Sequence, residues 1–233
     1  MTRDSDAHRH SVAGPRTSPD PWRDLAERSV TVGGRELRMV QPRDSEVLLD
    51  EEAFQREEFL PYWAQLWPSG IALARAVAAL APAGRRVLEL GCGLGLPSIV
   101  AALAGARVLA TDWSPDAVAF TATNASRNGA ALRTAACSWT EPGPMLAQAP
   151  WDLVLAADVL YERRNISQLL ELLPRLVDER GDVWIADPGR RPAERFLAAT
   201  ATPASGWLCR SSADPSFPRV TIHRLARRPG PGR

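Results

Sequence analysis

Eleven consecutive residues constrain this chain more than any others: Val87-Leu88-Glu89-Leu90-Gly91-Cys92-Gly93-Leu94-Gly95-Leu96-Pro97. Three apolar residues around one acid suit a short, buried, central parallel strand over 87–90. Glycines at 91, 93 and 95 then predict a tight turn whose backbone can approach a ligand where a Cβ would collide. Pro97 and Ser98 fit the first turn of a helix, where a missing N–H costs nothing. The predicted junction is strand, glycine turn, helix, with the N–H groups of the helix N-terminus turned toward an anion.

The spacing narrows the anion. A dinucleotide fingerprint needs glycine at the sixth position of G-x-G-x-x-G, and position 96 is leucine. A P-loop needs lysine, and the chain contains none. What remains, acid-x-Gly-x-Gly-x-Gly, resembles motif I of the class I S-adenosylmethionine (SAM) methyltransferases. That resemblance implies that the anion is the methionine carboxylate of SAM.

At 233 residues, 45% of them apolar, the chain has the size and composition of one ordinary globular domain. A net charge of +1 provides no field for nucleic acid or an anionic membrane. Cys92, Cys137 and Cys209 match no metal or redox spacing, and His8, His10 and His223 form no cluster, so no metal site is expected. The N-terminus lacks the apolar core of a signal peptide, and the apolar run 71–83 is interrupted by Arg75 and too short for a bilayer. The expected location is cytoplasmic.

Residues 1–28 are rich in Arg, Asp, Ser and Pro and read as a disordered tail, with a second short tail at 228–233. Residues 29–227 then form one domain, with 29–84 an extension and 85–227 the core. Polarity alternates over 29–32 and 36–40 around Gly33-Gly34, a hairpin signature. A short acidic helix is predicted over 44–58. Phe59 to Gly70 holds four aromatics and two prolines within one irregular stretch, and a helix follows over 69–80. Strands over 86–91, 107–111, 132–138, 152–157 and 182–186 alternate with helices over 96–104, 114–128, 164–178 and 191–200. This alternation implies a doubly wound parallel sheet. Two last strands, near 206–211 and 218–226, lack a helix between them and should pair antiparallel.

Ligands in such sheets bind beyond the carboxyl ends of the strands, so the strand ends are informative. The second strand ends in Asp112, placed to accept from both hydroxyls of a ribose; the alternative is an N-cap, a role Ser114 can take. The third ends in Ser138-Trp139, where an aromatic face could pack on adenine or simply join the core. The fourth ends in Asp158, followed by Val159-Leu160-Tyr161. In a 3-2-1-4-5 order this strand lies beside the first, which brings Asp158 and Tyr161 near the reacting methyl; capping and packing are their alternatives. The fifth ends in the turn Asp187-Pro188-Gly189-Arg190.

Pro61-Tyr62-Trp63-Ala64 with Trp67-Pro68-Ser69-Gly70, the tetrad Asp158-Val159-Leu160-Tyr161 and the turn Asp187-Pro188-Gly189-Arg190 together resemble one branch of the seven-strand methyltransferases. That branch includes the lysine methyltransferase of the electron-transfer flavoprotein β-subunit and nicotinamide N-methyltransferase-like proteins. The resemblance implies a Rossmann-like, mostly parallel seven-strand α/β sheet with an antiparallel C-terminal strand and an N-terminal hairpin and helix extension. It implies SAM as cofactor, contacted by Trp67, Gly91, Cys92, Gly93, Asp112, Ser138, Trp139 and Ala157. It assigns Asp158 and Tyr161 to the acceptor amine. On chemical grounds, Trp63 and Tyr161 could hold the methylated cation by its face. Relatives often carry an acid where Ser138 stands, and a hydroxyl is the weaker acceptor for the adenine amine.

The expected activity is methyl transfer to a protein lysine, the partner being the protein that carries it. A small heteroaromatic such as nicotinamide is the alternative acceptor, and a SAM-binding module without turnover is the alternative from another class. Nucleic acid is not an expected partner, because no Asn/Asp-Pro-Pro-aromatic motif follows the fourth strand and no basic stripe is present.

Overall fold

A computed structural model describes residues 20–44 and 62–228. Most of the helix expected over 44–58, the tails 1–19 and 229–233, and Phe59 to Pro61 lie outside the described residues. The chain opens with a hairpin: β1 (Leu25–Val32) pairs antiparallel with β2 (Arg35–Pro42). Gly33 and Gly34, at φ +58° and +78°, make the two-residue turn that matches strand twist. β1 starts at Leu25 rather than Ser29, and Trp22 before it stacks on Phe120 at 3.8 Å. The chain is therefore structured several residues earlier than its polar composition suggests.

A helical turn at Tyr62–Ala64 leads into α1 (Pro68–Leu80), with Pro68 in its first turn. Then follow β3 (Arg86–Leu90), α2 (Leu96–Leu103), β4 (Arg107–Asp112), α3 (Pro115–Arg127) and β5 (Arg133–Ala136). The short α4 (Gly143–Leu146), unmarked by any periodicity, precedes β6 (Leu153–Ala157). The chain continues through α5 (Arg163–Leu176), β7 (Asp182–Asp187), α6 (Arg191–Ala201), β8 (Trp207–Asp214) and β9 (Phe217–Arg227).

The large sheet has the order β5-β4-β3-β6-β7-β9-β8. Its first five strands are parallel, while β9 runs antiparallel to both β7 and β8. This is the seven-strand, mostly parallel, doubly wound sheet expected, with antiparallel strands at its C-terminal edge. Both faces are covered, so each strand alternates between two cores. Val87, Val108, Leu155 and Trp184 pack with α1, α2, α3 and the hairpin. Leu88, Leu109, Val154 and Ile185 pack with α5 and α6. The hairpin is locked on by α3. Asn124 accepts from Val40 N at 2.7 Å and donates to Val40 O at 3.1 Å, and Asn128 does the same for Arg38. Two side-chain amides thus pair the β2 edge, and at Val40 they satisfy backbone groups that would otherwise lie buried and unpaired.

β3 has β4 on one side and β6 on the other, and the helical crossovers leave toward opposite ends of the sheet. The carboxyl ends of β3 and β6 therefore flank the switch point, where such sheets hold ligands. Among the described residues, no helix is long and apolar enough to cross a membrane.

Candidate active site

The glycine turn is fixed from several sides. Gly91, Gly93 and Gly95 sit at φ +66°, +52° and +83°. A Cβ on Gly95 would lie 2.6 Å from Thr121 Cγ2, and one on Gly93 would lie 3.1 Å from Trp63 O. Glycine is needed at both by conformation and by close approach. Within the turn, Cys92 N donates to Thr111 O at 2.9 Å, Gly95 N to Cys92 O at 2.7 Å and Gly93 N to Asp112 Oδ2 at 3.0 Å.

One expectation is corrected here. The first turn of α2 does not simply turn its donors to a ligand: Pro97 has no N–H, and Ser98 N donates at 2.9 Å to Glu89 Oε2 beneath the turn. Glu89 thus takes up this donor of the helix N-terminus from within the protein. Its burial is nearly complete, and desolvation pushes its carboxyl up to about 8 despite the Ser98 bonds. The cradle is therefore built from the glycine backbone and Asp112.

Asp112 ends β4, buried, with Oδ1 accepting from Ser114 N at 3.0 Å and Oδ2 from Gly93 N. It does not cap α3: Ser114 Oγ does so, accepting from Ala117 N at 3.3 Å. Burial raises the Asp112 carboxyl to about 6, with the Ser114 and Gly93 N–H groups pulling against it. Each oxygen keeps a lone pair, and a pair of hydroxyl donors would complete its solvation. Cys92 is buried and its thiol is pushed up by burial, so it packs rather than reacts.

A cleft of about 270 Å³ opens over this turn. Its lining includes all eleven residues singled out from the sequence: Trp63, Trp67, Gly91, Cys92, Gly93, Asp112, Ser138, Trp139, Ala157, Asp158 and Tyr161. Their surroundings differ from expectation at two points. Trp63 turns inward, its ring 5.3 Å from that of Phe120 in the core. Its neighbour Tyr62 instead meets Tyr161 edge-on, with ring centroids 5.4 Å apart, and contacts Trp67, whose Nε1 donates to Tyr62 O at 2.7 Å. Ser138 Oγ is engaged inside its own loop, 2.9 Å from Thr140 Oγ1 and accepting from Glu141 N at 3.1 Å.

Among the other lining residues, two aromatics were not singled out as site residues from the sequence, Tyr62 and Trp113. Tyr62 lies in a stretch without periodicity, so nothing told which of two adjacent aromatics faces outward. Trp113 follows Asp112 at the strand end, lines the cleft and is 42% exposed. A large aromatic directly after a strand-end acid was an available signal.

Asp158 holds an unusual backbone, φ +56°, one of two non-glycine residues with positive φ among those described. Its N–H donates to Ala186 O at 2.8 Å, and its Oδ1 accepts from Arg190 Nε at 2.5 Å. That hydrogen bond raises the Arg190 guanidinium further. Asp158 does not cap α5, whose N-cap position is Glu162, itself paired with Arg164. Tyr161 is raised by burial and by the nearby Glu162 charge.

Residues 57–201 match the sequence profile of a family described as lysine methyltransferase. The chain belongs to that lysine methyltransferase family. One relative, the electron transfer flavoprotein beta subunit lysine methyltransferase of Danio rerio, is 38% identical over 138 residues, covering 58% of this chain and 52% of the relative. The chain thus spans about half the length of the curated relatives it matches. Among solved structures, a ribosomal protein L11 methylase from Lactobacillus delbrueckii subsp. bulgaricus aligns with TM-score 0.52 at 23% identity, over 67% of this chain and 78% of that one. The T. Thermophilus 16S rRNA N2 G1207 methyltransferase, solved with AdoMet and guanosine, aligns with TM-score 0.63 at 13% identity, over 91% of this chain and 52% of that one. At such identities the likeness is one of fold, and the fold is that of SAM-dependent methyltransferases.

Proposed function

We propose that this member of the family transfers a methyl group from SAM to a lysine side chain of a protein. The observation that carries the reading is the convergence of two chemistries on one cleft. A glycine turn with a buried acid, Asp112, forms one end, and an acid set among aromatics, Asp158 with Tyr161 and Tyr62, forms the other. The relatives' names support the lysine acceptor.

The residues fit the cofactor. Asp112 has the spare acceptor capacity that ribose hydroxyls require, and Trp113 and Trp139 offer aromatic faces to a purine. Bound SAM supplies an electrophilic methyl group on a sulfonium. The chain's task is to align an amine with it and exclude water. A lysine near its reference pKa costs about 4.6 kcal/mol to deprotonate at pH 7. A half-buried aromatic wall reduces that cost by disfavouring the ammonium. Tyr62 and Tyr161 provide this wall and can face the methylated cation. Asp158 orients the amine through a hydrogen bond.

One observation favours the small-heteroaromatic acceptor. Both acids near the acceptor end, Asp158 and Glu162, are already paired with Arg190 and Arg164, which leaves little net negative charge to hold an ammonium. The two readings separate in one experiment: tritiated SAM is incubated with purified protein and a dialysed cell extract, with and without nicotinamide. Tritium in acid-precipitable protein, recovered as methyllysine after hydrolysis, supports the lysine acceptor. Tritium in the soluble fraction alone, and only with nicotinamide, supports the heteroaromatic. SAM binding with no transfer to either leaves a binding module.

A further inference from the structure

The turn after β7 is built around one side chain. Asp187 is 1% exposed, and its Oδ1 accepts from Gly189 N at 2.7 Å and from Arg190 N at 2.9 Å. Those two bonds fix the backbone of Arg190 at the N-cap position of α6, where its φ is −69° and its ψ 138°. From that anchor Nε reaches Asp158 Oδ1 at 2.5 Å, across 32 residues of sequence. Strands β6 and β7 are adjacent and parallel, with Ala157 opposite Ala186, so Asp158 and Asp187 lie one step beyond that pair. The Asp158 N–H to Ala186 O bond ties the two strand ends together.

Two features mark the pair as more than a surface ion bridge. The Asp158 side chain is only 7% exposed, against 39% for Arg190, so the carboxylate is the buried partner. Asp158 also sits in the left-handed region, at φ +56°, a conformation uncommon for a non-glycine residue. The Ala186 and Arg190 bonds hold it from the β7 side, while Asp158 lines the cleft on the other side. With Oδ1 bonded to Nε, one carboxylate oxygen, Oδ2, is left for an acceptor. A carboxylate held by a planar guanidinium loses rotational freedom that a lone aspartate keeps, and restricting a reacting group's geometry is itself a large part of catalysis.

We propose that Arg190 is a positioning residue: held by the Asp187 turn, it fixes the Asp158 carboxylate so that a single oxygen meets the acceptor amine. The proposal rests on the reading of Asp158 as the acceptor-orienting acid. Its claim about the geometry of Asp158 stands apart from which acceptor is used.

The test compares wild type with Arg190→Gln, Asp158→Asn and the double variant. Rates are read as tritium entering acid-precipitable protein of a dialysed cell extract, and SAM affinity is measured by calorimetry. Arg190→Gln is expected to lower the rate about tenfold or more while SAM affinity stays within about twofold. In the Asp158→Asn background the same change should cost less than about twofold, because Arg190 acts through Asp158. An unchanged rate in Arg190→Gln, or an equal loss in both backgrounds, overturns the proposal. Crystal structures of wild type and Arg190→Gln give the readout that needs no acceptor. The variant should show the Asp158 carboxylate moved or split between rotamers, and an unmoved Asp158 overturns the proposal. A wild type that labels no protein refutes the lysine acceptor, and the crystallographic comparison then still decides the role of Arg190.

Discussion

Asp112 is the residue whose environment makes the sharpest prediction. Its carboxyl, raised to about 6 by burial, accepts one backbone N–H on each oxygen and is proposed to accept ribose hydroxyls besides. Only the ionised form is a strong acceptor on both oxygens. SAM affinity should therefore be flat from pH 8 to 7 and fall as pH drops through about 6, approaching tenfold per unit below it. Asp112→Asn should weaken binding roughly 10- to 100-fold at pH 7.5, the loss expected for hydrogen bonds to a charged group, and should remove the pH dependence. Calorimetric titrations across pH 5–8 check both. A variant that binds as tightly as wild type would remove Asp112 from the cofactor site. Asp112, Asp158 and Tyr161 were legible as single residues because each stands at the end of an apolar strand or just beyond it. Tyr62 and the Arg190 bond were not. Which of Tyr62 and Trp63 faces the cleft depends on a single helical turn, and Arg190 meets Asp158 only because β6 and β7 are neighbours in the folded sheet.

At the scale of elements, the β3–turn–α2 junction was readable from its glycines, but the fate of its donors was not. Glu89 lies beneath the turn and takes Ser98 N, a contact that depends on the strand face carrying the acid inward. The native state holds the Glu89 proton up to about 8, whereas the unfolded chain releases it near 4.5. Between these values the folded protein binds more protons, so this group's stabilisation is complete below about 4.5 and is lost as pH rises through about 8. Glu89→Gln keeps an acceptor for Ser98 N and carries no charge. Its stability relative to wild type, from urea midpoints at pH 5, 6, 7 and 8, should improve steadily with pH. Parallel curves would mean that Glu89 titrates as an ordinary carboxyl. The hairpin was foreseen from Gly33-Gly34, but its dock was not, since Asn124 and Asn128 look in sequence like ordinary helix-surface residues. Asn124→Ala strips Val40 of both partners in a buried setting and should cost about 2–4 kcal/mol. The Val40 amide should exchange slowly with solvent in wild type and much faster in the variant. A loss below about 0.5 kcal/mol would mean that the hairpin is held by its apolar face alone.

At the scale of the whole molecule, the sheet order does the organising. Reversal of the crossovers at β3 gathers the ends of β3, β4, β5 and β6 around one cleft, and β7 contributes through the Asp187 turn. This much was readable because strands and helices alternate so regularly from residue 86 onward that few topologies remain. The antiparallel edge was readable from the absence of a helix between the last two strands. The acceptor end was less so, because it is assembled from the irregular segment at Tyr62 and from loops rather than from periodic elements. The molecule also supplies a clean background for its own assay: with no lysine anywhere in the chain, methyllysine can only come from another protein. The decisive measurement is therefore amino-acid analysis of protein labelled by tritiated SAM and purified enzyme in a dialysed cell extract. Tritium should elute as methyllysine in wild-type reactions and be absent with Asp112→Asn at low SAM. Label confined to methylhistidine or to small molecules, or no label despite measured SAM binding, would contradict the proposed transfer to lysine.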